Sequence, residues 1–498
     1  MKISQTVAPE DACDCELGEH AQGVASTSLS PHGSRILLVN PNRCEQPCPV
    51  YPLGLAYLVG GLRAAGFRTV IWDTLAATDT LEQRIGSFEP DFVALSMRNV
   101  DNVQCHNPNS YVGEVLECCR RVRAATAARL IIGGSGFSIF PPELLELTGA
   151  DFGIQGEGEV SLVLLLRALE SGGALEGIPG LVHRDAWGGV AISPRCSTAG
   201  LFETEPEHDP ELILAYTSRG SLPGVQTQRG CPLRCCYCTY PLIEGRRSRY
   251  RPAQGIVREM ANLMKLGATY TFIVDSVFNT DPDHVVRICE ALADANLGME
   301  WQCFLRPRRL TRELLSLMRK AGLRHIEFGS DSLSDPVLRR YGKGFSFEEI
   351  EQASSYAHEL GIKYSHFLIF GGPGETSDTV EETLVRAQRL PGAFYFATLG
   401  MRVYPDTPLW TELAPGREGE DAADYLATPR FHLERAFTVG GLYERLRRHR
   451  EQNHNWVVGD PPPEFQATMG KLRARGVRGP MWEYIETLQR MAAHSAGG

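Results

Sequence analysis

From Arg35 onward, short apolar segments alternate with longer segments whose apolar residues recur every three to four positions. The short runs predict buried strands, and the amphipathic stretches between them predict helices. Strands are predicted at RILLVN, RTVIWD, DFVALS, RLIIGG and ADFGIQG, and helices at YPLGLAYLVGGLRAAGF, DTLEQRIGSF, SYVGEVLECCRRVRAAT, PPELLELTG and EVSLVLLLRALESG. This alternation predicts an α/β domain with a doubly wound parallel sheet over residues 35–172.

A second alternating series begins at residue 224 and runs to 414. Strands are predicted at VQTQRG, YTFIVD, EWQCFL, HIEFGS, KYSHFLIFG and FYFATLGMRV, and each except the last is followed by a helical segment. Six such units fit either a partial (β/α)6 barrel or a second doubly wound sheet, and the pattern alone permits both.

The remaining segments are different in composition. Residues 1–34 are polar and end rich in Gly and Ser, which predicts a disordered arm. Residues 173–223 are rich in turn signals and predict a connector with one hairpin. Residues 415–498 are polar and helical in pattern, and we expect a helical C-terminal region there.

The composition of the chain indicates where in the cell the protein is expected and which classes of protein are disfavoured. The chain has 50 Lys and Arg against 60 Asp and Glu, a net charge of −10, which argues against sequence-blind nucleic-acid binding. No apolar run reaches the roughly 18 residues of a membrane span. The N-terminus lacks the apolar centre of a signal peptide, so we expect a cytoplasmic protein. Its 14 cysteines then favour metal binding or catalysis over disulfides.

Cys231, Cys235 and Cys238 form a C-x3-C-x2-C group directly after the first strand of the second series. Three close thiolates suit an iron–sulfur cluster, in which one iron stays open, or zinc. Zinc needs a fourth ligand, which only the adjacent Cys236 offers. A redox pair of Cys235 and Cys238 leaves Cys231 unexplained, and buried inert thiols remain a further alternative. We favour the cluster.

The segment RGCPLRCCYCTYP resembles the cysteine motif of the radical S-adenosylmethionine (SAM) superfamily, C-x3-C-x-aromatic-C, with Tyr237 as the aromatic residue. The resemblance implies a [4Fe–4S] cluster on the three cysteines, with SAM on the open iron and Cys236 as a spectator. Reductive cleavage of SAM would then give a 5′-deoxyadenosyl radical.

Four later segments resemble further parts of the same superfamily: FIVDSVFN, FGSDS, FGGPGET and VYPDTPLW. Asp331 stands where the family usually has Glu. The resemblance implies a SAM site at Tyr237, Asp275, Ser330, Asp331, Ser332, Gly371, Gly372 and Pro373. From the strand pattern, we also expect Asp275, Trp301, Arg306 and Glu327 to point into the barrel.

In the first domain, the candidate ligand loops follow the strands. No G-x-G-x-x-G follows the first strand, which argues against a nicotinamide cofactor. The Asn-Pro after the first strand, the YPLGLAYLVGGLRAAG helix, GGSGFSIFP and GEGE resemble the cobalamin-binding domain that precedes many radical SAM domains. The resemblance implies a cobalamin site at Asn40, Pro52, Ser96, Arg98, Gly133, Gly134, Ser135, Gly156 and Gly158.

The loop after the first strand departs from other cobalamin proteins, because it lacks Asp-x-His-x-x-Gly. The resemblance therefore implies cobalt without a His ligand from the protein. We interpret His106, the nearest His, as an ordinary loop residue. Tyr51 and Arg98 are candidates to face the cobalt or the interdomain cleft.

Together the two resemblances imply a cobalamin-dependent radical SAM methyltransferase of specialised metabolism, acting on an unactivated carbon or a phosphinate phosphorus of a small molecule. A cyclase or rearrangement enzyme without methyl transfer is the alternative, and a non-catalytic cobalamin or iron–sulfur sensor is a weaker one. An external electron donor, such as a flavodoxin or a ferredoxin, is implied as a partner. No nucleic acid and no membrane span are expected, and no catalytic side chain is assigned. Arg246, Arg247, Arg249 and Arg251 either pair with an anionic substrate or form a surface cluster.

Overall fold

The structure is a computed structural model that describes residues 33–45, 48–195, 202, 204–414, 419–459, 468–472, 477 and 479–484. Apart from residues 33 and 34, the predicted disordered arm lies outside the described residues. Two seven-stranded sheets dominate the described chain, each built mainly from parallel strands covered by helices.

The first sheet consists of β1 (Arg35–Asn40), β2 (Arg68–Asp73), β3 (Phe92–Ser96), β4 (Arg129–Gly133), β5 (Phe152–Ile154), β6 (Leu181–Arg184) and β7 (Val190–Ile192). Its helices are α1 (Leu53–Ala64), α2 (Leu81–Phe88), α3 (Val112–Ala125), α4 (Pro141–Thr148) and α5 (Glu159–Ser171). The strand order is β2-β1-β3-β4-β5-β6-β7, and β1 to β5 are parallel. The order reverses between β1 and β3, which is where such sheets open a ligand crevice.

Both faces of this sheet are apolar, which explains the near-continuous apolar runs of its strands. In β1, Leu37 and Val39 belong to one buried cluster, and Ile36 and Leu38 to the cluster on the opposite face. The predicted strands and helices of this domain are all present. The hairpin predicted in the connector is β6 and β7, and it extends the sheet beyond residue 172.

The connector helix α6 (Pro210–Ser218) leads to the second sheet, formed by β8 (Gly224–Val225), β11 (Tyr270–Ile273), β12 (Glu300–Leu305), β13 (Leu323–Asp331), β14 (Lys363–Phe370), β15 (Phe394–Leu399) and β18 (Trp456–Val458). Two short strand pairs flank it: β9 (Gln228–Arg229) with β10 (Arg249–Tyr250), and β16 (Met401–Arg402) with β17 (Phe431–His432). The helices are α7 (Tyr240–Glu244), α8 (Ala253–Lys265), α9 (Pro282–Ala295), α10 (Arg312–Lys320), α11 (Asp335–Arg340), α12 (Phe347–Glu359), α13 (Ser377–Ala387), α14 (Pro408–Glu412), α15 (Ala422–Ala427) and α16 (Val439–Gln452).

The seven strands of this sheet follow one another in chain order without reversal, and all their pairings are parallel. Because crossovers between parallel strands are right-handed, an unreversed order places the helices on one side and leaves the other side as an interior. The second unit is therefore a partial barrel, and the doubly wound alternative is excluded.

The C-terminal region contributes more than helices. β18 pairs with β15 as a seventh strand, and a short 3-10 turn at Met481–Tyr484 packs Trp482 against Phe394 and Val457. A three-residue strand is too short to show a period in the sequence.

Trp301 was expected inside the barrel, and this prediction is wrong. Trp301, Cys303 and Leu305 belong to the core beneath the helices, and the Trp301 indole donates to the carbonyl of Ala321 at 2.8 Å. Starting from Gln302, every second residue of β12 therefore faces the barrel interior. Gln302 donates to Glu327 at 3.1 Å, which agrees with the predicted inward direction of Glu327.

Candidate cofactor sites at the carboxyl ends of the two sheets

A cavity of about 690 Å³ lies between the two domains, beyond the carboxyl ends of β1, β3 and β4. The β1–β3 reversal places these strand ends around one crevice. The cavity is lined by every residue predicted for cobalamin: Asn40, Pro52, Ser96, Arg98, Gly133, Gly134, Ser135, Gly156 and Gly158. Their role as cofactor contacts stays a prediction, but the fold brings all nine to one place.

Buried polar contacts fix the wall of the cavity at β1. The amide nitrogen of Asn40 donates to the carboxylate of Asp73 at 2.6 Å, and the hydroxyl of Tyr216 donates to the same oxygen at 2.9 Å. The other Asp73 oxygen accepts from the backbone of Leu75 and Ala76. These bonds hold the end of β1 and the turn after β2 in one position.

The glycine turn after β4 packs tightly against the end of β3. Gly134 has a φ of 99°, and a Cβ there would lie 2.5 Å from the carbonyl oxygen of Met97. Ser135 donates to the carbonyl of Arg98 at 2.7 Å. At Gly54, in the first turn of α1, a Cβ would meet no atom within 4 Å, so glycine leaves backbone open to the cavity. A flat cofactor can therefore approach main chain on two sides.

Gly134→Val is expected to weaken hydroxocobalamin binding by at least about tenfold, because its left-handed φ and the Met97 contact force the turn to move. Spectrophotometric titration of anaerobic protein measures the affinity. Gly113→Ala is the matched control, since Gly113 is exposed on α3 and a Cβ there meets nothing within 4 Å. Unchanged binding in Gly134→Val would contradict a ligand role for the turn.

The cysteine loop lies between the barrel and the cavity. The backbone nitrogen of Cys231 donates to Gly245, and that of Cys236 donates to Tyr341, at 3.0 and 3.1 Å. Tyr237 and Cys238 line the cavity, whereas the buried Cys236 packs with its sulfur 3.7 Å from that of Met401. This placement agrees with Cys236 as a spectator.

In the described residues, no three His, Cys, Asp or Glu side chains lie in metal-ligand geometry, so the cluster assignment stays a prediction. The chemistry of the donors fits it. Burial, with the neighbouring thiol Cys235, raises the pKa of Cys238 to about 12, and burial also raises the pKa of Cys235. At these buried positions a bound cluster would supply the positive charge that favours the thiolate form.

A buried triad ties the cysteine loop to the end of β13. The Tyr237 hydroxyl and the Lys343 ammonium both donate to one oxygen of Asp331, each at 2.6 Å. Asp331 has a φ of 63°, and Lys343 and Asp331 are both buried. The triad fixes the aromatic residue of the motif, and Lys343 had no signal in the sequence.

Two other residues predicted for SAM have side chains that form hydrogen bonds within the protein. Ser330 bonds the Nδ1 atom of His366 at 2.8 Å, and Ser332 lies 3.3 Å from the hydroxyl of Thr383. Both serines are buried beneath the helices, which leaves only their backbone for a ligand.

Asp275 and the glycine loop after β14 are also tightly held. The Asp275 carboxylate accepts from Thr227 at 2.7 Å and Gln228 at 3.2 Å, and burial raises its pKa to about 7. It thereby anchors the segment that leads into the cysteine loop. At Gly372, followed by Pro373, a Cβ would collide with the Tyr341 hydroxyl, and Gly371 has a φ of 81°.

Ion pairs join the GEGE turn of the first domain to β9 and β10. Arg229 bonds Glu157 at 3.0 Å and Glu159 at 2.6 Å, and Arg249 bonds Glu157 as well. Arg251 pairs with a buried Glu259 at 2.5 Å. Arg249 and Arg251 are therefore engaged within the protein, which disfavours them as anchors for an anionic substrate. Arg229 was not recognised from the sequence.

Two domain families match the chain: the B12 binding domain over residues 47–166 and the radical SAM superfamily over residues 225–387. The chain thus carries a B12-binding domain and a radical SAM domain in the order that the motifs predicted, and the cavity lies between them. The predicted cofactors, cobalamin, SAM and a [4Fe–4S] cluster, are those of these two families.

Individual relatives agree with this class. The chain is similar to Tryptophan 2-C-methyltransferase of Streptomyces laurentii, with 26% identity over 451 residues, 77% of this chain and 75% of that protein. It is also similar to Anaerobic magnesium-protoporphyrin IX monomethyl ester cyclase of Rubrivivax gelatinosus, with 26% identity over 376 residues, 71% of this chain and 65% of that protein. The fold resembles TsrM, a radical S-adenosylmethionine methyltransferase from Kitasatospora setae solved with cobalamin and a [4Fe–4S] cluster, at a TM-score of 0.80 and 24% identity; the match covers 93% of this chain and 100% of that one.

Among the described residues, no helix has both the length and the apolar character needed to cross a membrane. The cytoplasmic location stays a prediction.

Proposed function

We propose that the protein is a cobalamin-dependent radical SAM methyltransferase. It moves a methyl group from SAM by way of cobalamin to an unactivated carbon, or to a phosphinate phosphorus, of a small molecule in specialised metabolism. The observation that supports this most directly is the shared cavity, which is lined by all nine candidate cobalamin residues and by Tyr237 and Cys238 of the cysteine loop. A methyl carrier and a radical source can cooperate only if one substrate reaches both.

In this proposal, Cys231, Cys235 and Cys238 hold the cluster, and the triad of Tyr237, Asp331 and Lys343 keeps the loop in place. When bound, cluster and SAM supply a 5′-deoxyadenosyl radical and cobalamin supplies the methyl group. The protein positions these cofactors and shields them from water.

The barrel side of the cavity supplies that shielding with apolar side chains. Val274, Ile369 and Met401 line the cavity together with the ring of Tyr404. Such a lining keeps bulk water away from the reacting groups and limits side reactions.

Cobalt without a protein His fits the described part of the loop after β1. His106, the nearest candidate, stacks on the ring of Tyr443 with centroids 3.9 Å apart. Its ring is thereby placed against α16, in agreement with a loop role. Tyr51 lines the cavity, but its hydroxyl is directed to the Nδ1 atom of His208 at 3.0 Å.

The test is anaerobic reconstitution with iron, sulfide and hydroxocobalamin, followed by SAM and a strong reductant, with products analysed by mass spectrometry. We expect 5′-deoxyadenosine and S-adenosylhomocysteine together. If 5′-deoxyadenosine alone forms with candidate acceptors present, the cyclase or rearrangement alternative replaces the proposal. If neither product forms in cluster-loaded protein, the radical SAM activity itself is refuted.

A further inference from the structure

The cysteine loop has two sides with different surroundings. Tyr237 and Cys238 line the interdomain cavity, where the proposed cofactors and substrate meet. On the other side, Arg234 is exposed and precedes Cys235, which is partly exposed. A group that reaches the loop without entering the cavity must therefore approach from this outer side.

Two other segments meet the outer side of the loop and carry further arginines. A Cβ at Gly342 would lie 2.5 Å from the carbonyl of Arg234, so the turn after α11 touches the loop. The carbonyl of Gly344 accepts from Arg308 at 2.5 Å, which brings the segment after β12 to the same place. We call the resulting group the arginine patch; it consists of Arg234, Arg308, Arg309, Arg339 and Arg340.

The charge of the patch is opposite to that of the chain. Arg234, Arg308, Arg309 and Arg339 are exposed, and Arg340 is half-exposed. Two carboxylates pair with members of the patch: Glu349 lies 3.8 Å from Arg308, and Glu412 bonds Arg340. The chain as a whole carries a net charge of −10, so this local excess of arginine is not a consequence of composition.

Two further basic side chains lie beneath the patch toward the cysteines, and one of them, Lys343, is paired with the buried Asp331. Arg306 donates to the same Gly344 carbonyl at 3.5 Å, and the buried Lys343 lies on the turn between Gly342 and Gly344. Arg306 and Lys343 both interact electrostatically with Cys235. The patch thus lies over two basic side chains that stand beside the cysteine loop.

We propose that the arginine patch is the docking surface for an acidic electron-carrier protein of the flavin or iron–sulfur class. The inference rests on the proposed function, because such an enzyme needs single electrons from outside and its cavity side is taken by the reactants. In the electron-transfer step, the reduced carrier loses one electron and the cluster gains one. No bond is formed or broken and no proton is transferred. Complementary charge steers the encounter and fixes the orientation.

The test uses a reduced flavodoxin as the probe and the cluster-loaded protein. Arg309→Glu combined with Arg339→Glu is expected to raise the Kd for flavodoxin by at least about tenfold at low salt and to slow cluster reduction by flavodoxin similarly. Rising ionic strength is expected to weaken flavodoxin binding by the unmodified protein more than binding by the variant. Reduction by dithionite is expected to stay unchanged, because a small reductant needs no docking surface.

Arg68→Glu combined with Arg184→Glu is the matched control, with the same charge change at exposed positions on the first sheet, outside the patch. Equal losses in both variants, or no loss in the patch variant, would overturn the proposal. Displacement of flavodoxin by a DNA duplex bound to the patch would overturn it in favour of a nucleic-acid surface. Product formation under dithionite tests the proposed function separately from docking.

Discussion

Replacing Cys231, Cys235 and Cys238 together by alanine is expected to abolish cluster binding and all cleavage of SAM. The sequence motif assigns these three thiols to the cluster, and a cluster needs thiolate ligands. Iron and sulfide content, with the visible absorbance after anaerobic reconstitution, measures the effect. We expect 5′-deoxyadenosine to fall below detection. Iron and sulfide retained at the unmodified level would refute the ligand assignment.

Cys236→Ala is the matched control, because it removes a thiol from the same loop. Cys236 is buried in the apolar cluster with Met401 and Tyr341, and its sulfur is not directed toward the cavity. The substitution is expected to cost about 1 kcal/mol of stability through lost packing, and to leave iron and sulfide content unchanged. Loss of the cluster in this variant would instead indicate a different set of ligands.

The strands could be predicted wherever burial makes a sequence continuously apolar. RILLVN became β1, with both faces buried, and the strand-end loops then had to converge because parallel strands end at one edge. The same reasoning placed the cobalamin residues around one cavity. Recognising the barrel required knowledge of the strand order. That order depends on tertiary pairing and is not visible in local periodicity.

Side-chain direction and charge partners were harder to predict. In EWQCFL, apolar residues stand on both faces, so the pattern offered no phase and Trp301 was assigned inward. Lys343 lies 12 positions beyond Asp331, and Arg229 lies 70 positions beyond Glu159, so neither pair shows in a sequence window. Motif resemblance identified Asp331, but only the structure supplied its partners.

A buried ion pair between Arg402 and Asp101 joins the two domains. The Nε atom of Arg402 lies 2.8 Å from the carboxylate of Asp101, and the two side chains are 2% and 1% exposed. Arg402 also donates to the carbonyls of Val403 and Tyr425, at 2.7 and 2.8 Å. Arg402→Met is expected to lower the free energy of unfolding by about 3–5 kcal/mol, because it leaves a buried carboxylate without its partner. Urea denaturation followed by fluorescence measures the loss.

The same variant is expected to weaken hydroxocobalamin binding, since Asp101 holds the cavity loop through the backbone of Val103 at 2.9 Å.

Combining Arg402→Met with Asp101→Asn removes the unpaired charge and is expected to restore part of the stability. Arg324→Met, which breaks a surface pair with Glu300, is expected to change stability by no more than about 1 kcal/mol. If the Arg402 and Arg324 variants lost the same stability, the buried pair would add nothing beyond a surface contact. If the Arg402 variant lost stability but kept full cobalamin affinity, the pair would hold the domains together without shaping the cavity.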